Sequence, residues 1–191
     1  MRSSGSTPTD RPERTIPLGI VLVGDDDPKR CTGRRLIARG WAAELRGRSV
    51  LPGSVLLDPR AATPLSRADR WSARRGGLVA VDCSWNRLEG RRALLLERGS
   101  RPGAIHHRRL PWLVAANPQH YGRVAELNTA EALAASLYLL GEPERAQRLL
   151  TEFPGETTLL RLNEAWLARY ADADGPHAVT AIEQRFFGRS L

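Results

Sequence analysis

The chain has 191 residues, 41% of them hydrophobic and 26% charged, with a formal net charge of +8. That length and mixture describe a globular chain able to bury a core, and exclude a fibrous or wholly disordered one. No apolar run approaches a membrane span, no signal-peptide core is present, and two cysteines, Cys31 and Cys83, are too few for a disulfide scaffold or a four-cysteine metal site. A reducing cytoplasm is therefore the expected compartment. The four histidines show no metal-ligand spacing, so no metal is expected.

Residues 1–15 are polar and predict a disordered tail. Ile16–Val23 predicts a first strand, ended by Gly24, and Asp25-Asp26-Asp27 reads as an acidic turn leading into a helix. The spacing of Leu36, Ile37, Trp41 and Leu45 predicts that helix over Arg34–Leu45, with Thr32 or Gly33 at its N-terminus. Ser54–Leu57 is a second strand stopped by Asp58-Pro59, and Ser66 is the expected N-cap of a helix starting at Arg67–Arg70. Leu78–Val81 is a third strand, introduced by Gly76-Gly77. Residues 86–109 give no clear element. Leu110–Ala116 predicts a further buried strand, which Asn117–Gly122 turns out of. Thr129 is the expected N-cap of a helix over Ala130–Leu140 that is apolar nearly all round, and Glu131 complements its dipole. Beyond Gly141 the chain reads as helical over 144–152, about 157–170, and 179–187. Alternating strands and helices followed by helices alone predict an α/β half and a helical half.

Charge and strand together point to one place. Residues 60–109 hold 12 arginines against 4 acids, a balance of +8, so the other 141 residues sum to zero. An arginine field of this kind is the expected footprint of a polyanion, with Arg67, Arg70, Arg74, Arg75, Arg87, Arg108 and Arg109 as candidate RNA-phosphate contacts. It brackets the run Leu78–Leu88, in which a buried strand stops on Asp82 and is followed by Trp85 and Arg87. Carboxyl ends of strands are where open α/β sheets bind ligands. Asp82 is then a ligand group with Trp85 against a flat or soft-cation ligand. Equally, it is a helix cap with Trp85 in the core.

Five stretches carry a resemblance. Asp-Pro-Lys-Arg-Cys-Thr-Gly (27–33), Leu-Ser-Arg-Ala-Asp-Arg (65–70), Val-Asp-Cys-Ser-Trp-Asn-Arg-Leu (81–88), Leu-Pro-Trp-Leu-Val-Ala-Ala-Asn-Pro-Gln-His-Tyr-Gly (110–122) and Leu-Asn-Thr-Ala-Glu-Ala-Leu-Ala-Ala-Ser-Leu-Tyr (127–138) occur in that order. Together they resemble the small-subunit ribosomal RNA aminocarboxypropyltransferase family, over about residues 16–170. The resemblance implies an α/β, SPOUT-like knotted domain over 16–122, a helical C-terminal domain over 123–171 and a partly helical extension over 172–191, after the tail at 1–15. It implies S-adenosylmethionine as aminocarboxypropyl donor, a uridine or pseudouridine of small-subunit rRNA as acceptor, and a monomer. By the same resemblance Thr32, Val81, Asp82, Trp85, Leu110, Leu113, Tyr121 and Thr129 would bind the cofactor, with Trp85 beside the sulfonium and its methyl. Asp82 would be the catalytic base or an orienting group. The chain departs from the family pattern at Asp26, at Asp58-Pro59 and at Gln119-His120. An ordinary SPOUT-like methyltransferase and a non-catalytic rRNA-binding assembly factor are the competing readings.

Overall fold

Residues 15–22, 31–46, 50–82 and 105–188 are described by the structure, a computed structural model. Three apolar runs form the middle of one sheet: β1 (Leu18–Leu22), β3 (Val55–Leu57) and β4 (Leu78–Asp82). Two shorter strands, β2 (Ala43–Glu44) and β5 (His106–Arg108), flank them in the order β2-β1-β4-β3-β5, with every pairing parallel. The apolar residues follow the two-residue period of a strand. Leu18, Ile20, Val55, Leu57, Leu78 and Ala80 join the large core cluster, while Val21, Leu56 and Val79 join a smaller cluster with Val50 and Ile105. A parallel sheet buried on both faces needs such near-continuous apolar strands.

Helix α1 (Thr32–Ala38) follows β1, and α2 (Arg70–Gly76) follows β3 through a 3-10 turn at Arg67–Asp69. The helical part contains α3 (Thr129–Leu139), α4 (Pro143–Thr151), a 3-10 turn at Pro154–Glu156, α5 (Leu159–Leu162), α6 (Glu164–Asp172) and α7 (Pro176–Phe187). Helix α3 buries Ala130, Leu133, Ala134, Ala135, Leu137 and Leu139, residues spread around its circumference. The large core cluster runs without a break in membership from Ile16 on the sheet side to Val179 on α7. At the start of β1, Glu142 Oε1 accepts from Ile16 N at 2.8 Å, and Arg145 donates to Ile16 O at 2.6 Å.

Several expectations are corrected. The helix expected over Arg34–Leu45 stops at Ala38, because Gly40 takes a φ of +75° that a continuing helix forbids. Trp41 and Leu45 keep the helical spacing by coincidence, and Ala43–Glu44 pairs with β1 instead. The segment Leu110–Ala116 is extended but forms no strand of the sheet among the described residues; Val114 makes only an isolated bridge to Val124. The strand in that region is β5, just upstream. Asn128, not Thr129, is the N-cap of α3, since its side chain accepts from Glu131 N while Thr129 is the first helical residue. The helix expected over 157–170 is broken at Asn163 into α5 and α6. The acidic turn Asp25–Asp27, Trp85 and Arg87 lie outside the described residues.

Candidate functional site

Asp82 closes β4, and its carboxylate ties together two helix beginnings. Oδ2 accepts from Gly33 N at 2.7 Å and from Cys31 Sγ at 2.8 Å; Oδ1 accepts from Thr129 Oγ1 at 3.0 Å. Cys31 precedes α1, Gly33 lies in its first turn, and Thr129 opens α3. A Cβ on Gly33 would overlap Asp82 Oδ2 and crowd its Cβ and Cγ, so only glycine lets the carboxylate reach the helix backbone. Burial, and then the Asp82 hydrogen bond, push the Cys31 thiol up to about 11. It therefore stays protonated near neutrality and keeps donating.

The first turn of α3 also fixes the chain after β5. Glu131 is fully buried, and its Oε1 accepts from Ala116 N at 2.6 Å and Asn117 N at 2.8 Å. Its Oε2 accepts from Asn117 Nδ2 and from Asn128 N. Two further side chains hold the same extended segment. Asn163 accepts from Val114 N at 2.7 Å and donates to Val114 O at 2.8 Å. Glu183 accepts from Trp112 N at 3.0 Å while its two oxygens receive the Arg109 guanidinium at 2.6 and 2.7 Å. Buried backbone groups must find partners. Here carboxylates and an amide from α3, α6's lead-in and α7 add to a short backbone pairing in which Ala115 N donates to Arg123 O and Leu113 O accepts from Ala125 N. The result is an irregular backbone, rigidly held, beside the carboxyl ends of the strands.

The structure brings Thr32, Val81, Asp82 and Thr129 to one end of the sheet. Leu110 is half-buried, whereas Leu113 is fully buried in the core and its carbonyl accepts from Ala125 N. Only backbone at Leu113 can therefore face a ligand. Tyr121 stands exposed on the Asn117–Gly122 turn, next to His120, whose ring pairs with Glu126. That hydrogen bond, more than the nearby Arg123, holds the Glu126 carboxyl below its usual range. Among the candidate arginines, Arg67 and Arg75 are exposed and Arg70 and Arg74 half-buried. Arg108 and Arg109 point elsewhere: Arg108 Nε donates to Asp69 at 2.9 Å, and Arg109 forks onto Glu183.

Residues the sequence does not single out are Cys31, Asn163 and Glu183, with Gly33 read only as a helix start and Glu131 only for its dipole. Cys31 and Gly33 sit inside the motif at 27–33 and were there to be found. Asn163 and Glu183 act on a segment 49 and 71 residues away, and carry no local signal.

A parallel sheet whose central strand ends in a carboxylate, flanked by two helix beginnings and a side-chain-held loop, is the arrangement at whose strand ends α/β proteins bind ligands. Comparison with known proteins narrows this. Residues 55–187 match the family model described as "Ribosome biogenesis protein, C-terminal". A 16S rRNA aminocarboxypropyltransferase of Halobacterium salinarum is 44% identical over 169 residues, which cover 88% of this chain and 95% of that one. An 18S rRNA aminocarboxypropyltransferase of Schizosaccharomyces pombe is 35% identical over 90% of this chain and 57% of its own length. The solved structure of the SAM-dependent rRNA:acp-transferase Tsr3 from Vulcanisaeta distributa superposes with a TM-score of 0.73 at 31% identity, covering 89% of this chain and 97% of that one. The chain belongs to this ribosome-biogenesis family of small-subunit rRNA aminocarboxypropyltransferases.

Proposed function

We propose that this chain transfers the 3-amino-3-carboxypropyl group of S-adenosylmethionine to a uridine or pseudouridine of small-subunit rRNA during ribosome biogenesis. The observation that carries the reading is the tie at Asp82, which joins three of the five family motifs by hydrogen bonds: Cys31-Thr32-Gly33, Val81-Asp82 and Asn128-Thr129. Relatives 44% and 40% identical over nearly their whole length are named 16S rRNA aminocarboxypropyltransferases.

The residues fit the donor. A carboxylate has about four acceptor positions, and Asp82 uses three on protein donors, leaving capacity on Oδ1 for a cationic ligand end. Thr32, Asp82 and Thr129 would hold the amino-acid end, while Val81, the Leu110 and Leu113 backbone, Tyr121 and Trp85 would line the remainder. When bound, S-adenosylmethionine supplies a sulfonium-activated carbon of its aminocarboxypropyl arm as the electrophile. Asp82, committed to three donors, orients that arm rather than collecting a proton. Which carbon reaches the uracil is a matter of placement, and placement alone can supply much of the rate. The loop at 110–117 is pre-set for this by Glu131, Asn163 and Glu183, so little ordering remains when the ligand arrives.

In this reading exposed Arg67 and Arg75, with Arg87 beyond the described residues, hold rRNA phosphates, whereas Arg108 and Arg109 serve the fold. A SPOUT-like knot is part of the proposal, supported by β4 lying between β1 and β3 in an all-parallel sheet. So are the division into a knotted domain (16–122), a helical domain (123–171) and an extension (172–191), a monomeric state and a cytoplasmic location. Among the described residues no helix is long and apolar enough to cross a membrane.

Incubating the protein and immature small subunits with S-adenosylmethionine labelled either in the methyl or in the carboxyl carbon tests the assignment. Only the carboxyl label is expected in rRNA. Methyl label in its place would make the chain a methyltransferase, and failure to bind the cofactor at all would leave an assembly factor.

A further inference from the structure

The ring of Trp71 stands on the outer face of α2 with 68% of its surface exposed, the most exposed of the large hydrophobic side chains among the described residues. An indole left in water forgoes the stabilisation of burying its large apolar surface, so a bare tryptophan on this helix is a feature to explain. Its surroundings are distinctive. Arg75, one helical turn on, lies over the ring with its guanidinium carbon 5.2 Å from the ring centre. Arg67 is exposed one turn earlier, whereas Arg70 and Arg74 are half-buried with their Nε inside the protein, Arg70 lying against Gly141. The only acid between residues 67 and 76 is Asp69, which is buried and accepts from Arg108 and from Ser66 N. The face is therefore aromatic at its centre, flanked one turn to either side by exposed Arg67 and Arg75, and without an exposed carboxylate from its own segment.

The geometry points to a stacking platform for an unpaired RNA base. A flat ring backed by a guanidinium presents a π surface to a nucleobase, and the flanking arginines meet the phosphates on either side of it. A duplex offers no free base face, so the platform selects single-stranded or looped RNA. Tryptophan and arginine also occur at protein interfaces, but exposed Arg67 and Arg75 beside the ring, with no exposed carboxylate among residues 67–76, favour a polyanion. The 3-10 turn that carries Arg67 begins where Leu65 N donates to Arg109 O, just past the carboxyl end of β5. The platform thus extends from the same end of the sheet as Asp82, and would grip rRNA flanking the target nucleotide. This inference rests on the proposal that the substrate is RNA.

The test measures the affinity of the full-length protein and of Trp71→Ala and Trp71→Phe for a single-stranded oligouridylate and for an RNA duplex of equal length. Carboxyl-label transfer to small-subunit rRNA is followed in parallel. Trp71→Ala is expected to weaken oligouridylate binding about tenfold, with the duplex unaffected and Trp71→Phe close to wild type. Equal affinity of Trp71→Ala and wild type for oligouridylate would overturn the platform, while transfer by both would leave the proposed activity standing. Unchanged oligouridylate affinity with lost binding to intact subunits would assign the ring to a ribosomal protein, and also overturn it. Absence of transfer and of any RNA binding by the wild type would instead remove the RNA reading itself.

Discussion

The carboxyl of Glu156 is buried beneath the 3-10 turn at Pro154–Glu156. Asn128 Nδ2 donates to Oε1 at 2.7 Å, while Oε2 is buried with no hydrogen-bond partner among the described residues. Desolvation, reinforced by the nearby Glu131 carboxylate, raises its pKa to about 7. A carboxyl whose folded value lies above its unfolded one contributes stability below about 4.5 that is lost as pH rises through 7. Glu156→Gln removes the titration and keeps an acceptor for Asn128. Its stability relative to wild type should therefore climb between pH 4.5 and 7 and level off above, in urea denaturation at a series of pH values. A flat difference across that range would show that Glu156 ionises normally. Burial of this acid was not legible from sequence: Phe-Pro-Gly-Glu reads as an exposed turn, and only the fold places Asn128 over it. Asp82, by contrast, was legible, because a charged residue terminating an apolar run announces itself without knowledge of its partners.

The segment between β5 and α3 shows what periodicity can and cannot say at the scale of an element. Leu-Pro-Trp-Leu-Val-Ala-Ala has the composition of a buried strand and is largely buried, yet three of its amides are met by Glu183, Asn163 and Glu131, while Ala115 N reaches Arg123 O across an isolated bridge. Composition reports burial, whereas pairing depends on what stands alongside, and that comes from distant helices. β5 escaped notice for the opposite reason: His106-His107-Arg108 is polar, as an edge strand can be. The cost of losing a side-chain acceptor is correspondingly large. Glu183→Ala strands the half-buried Arg109 guanidinium and the Trp112 amide at once, and should destabilise the protein by about 3–5 kcal/mol. It should also weaken cofactor binding, because the loop it holds loses its set position. Chemical denaturation and calorimetric titration with S-adenosylmethionine check the two effects. Normal stability would mean the extended segment holds itself. The aromatic contact of Phe187 with Trp112 and Trp166 would survive the change and limit the damage to one end of α7.

For the molecule as a whole, a net charge of +8 gathered into 50 residues looked like one RNA-binding field, and the structure divides it. Arg108 and Arg109 neutralise Asp69 and Glu183 inside the protein, whereas Arg67 and Arg75 face solvent. Replacing Arg67 or Arg75 by Ala should lower the slope of log affinity for rRNA against log salt by roughly 0.7–0.9 each. Arg108→Ala should leave the slope unchanged while lowering the melting temperature. Equal slopes for all three variants would return the charge to a mere solubility role. The α/β character was legible because three apolar strands, bounded by Gly24, Asp58-Pro59 and Asp82, carry their own signal; the sheet order was not, since parallel neighbours are set by crossovers. The clasp on Ile16 bears on how the chain comes to be made. β1 sits inside the sheet, yet the amide and carbonyl at its threshold are met by Glu142 and Arg145, 126 and 129 residues downstream. Contacts of such span make for slow assembly. A nascent chain leaving the ribosome therefore holds β1 unclasped until the helical segment bearing Glu142 and Arg145 has emerged.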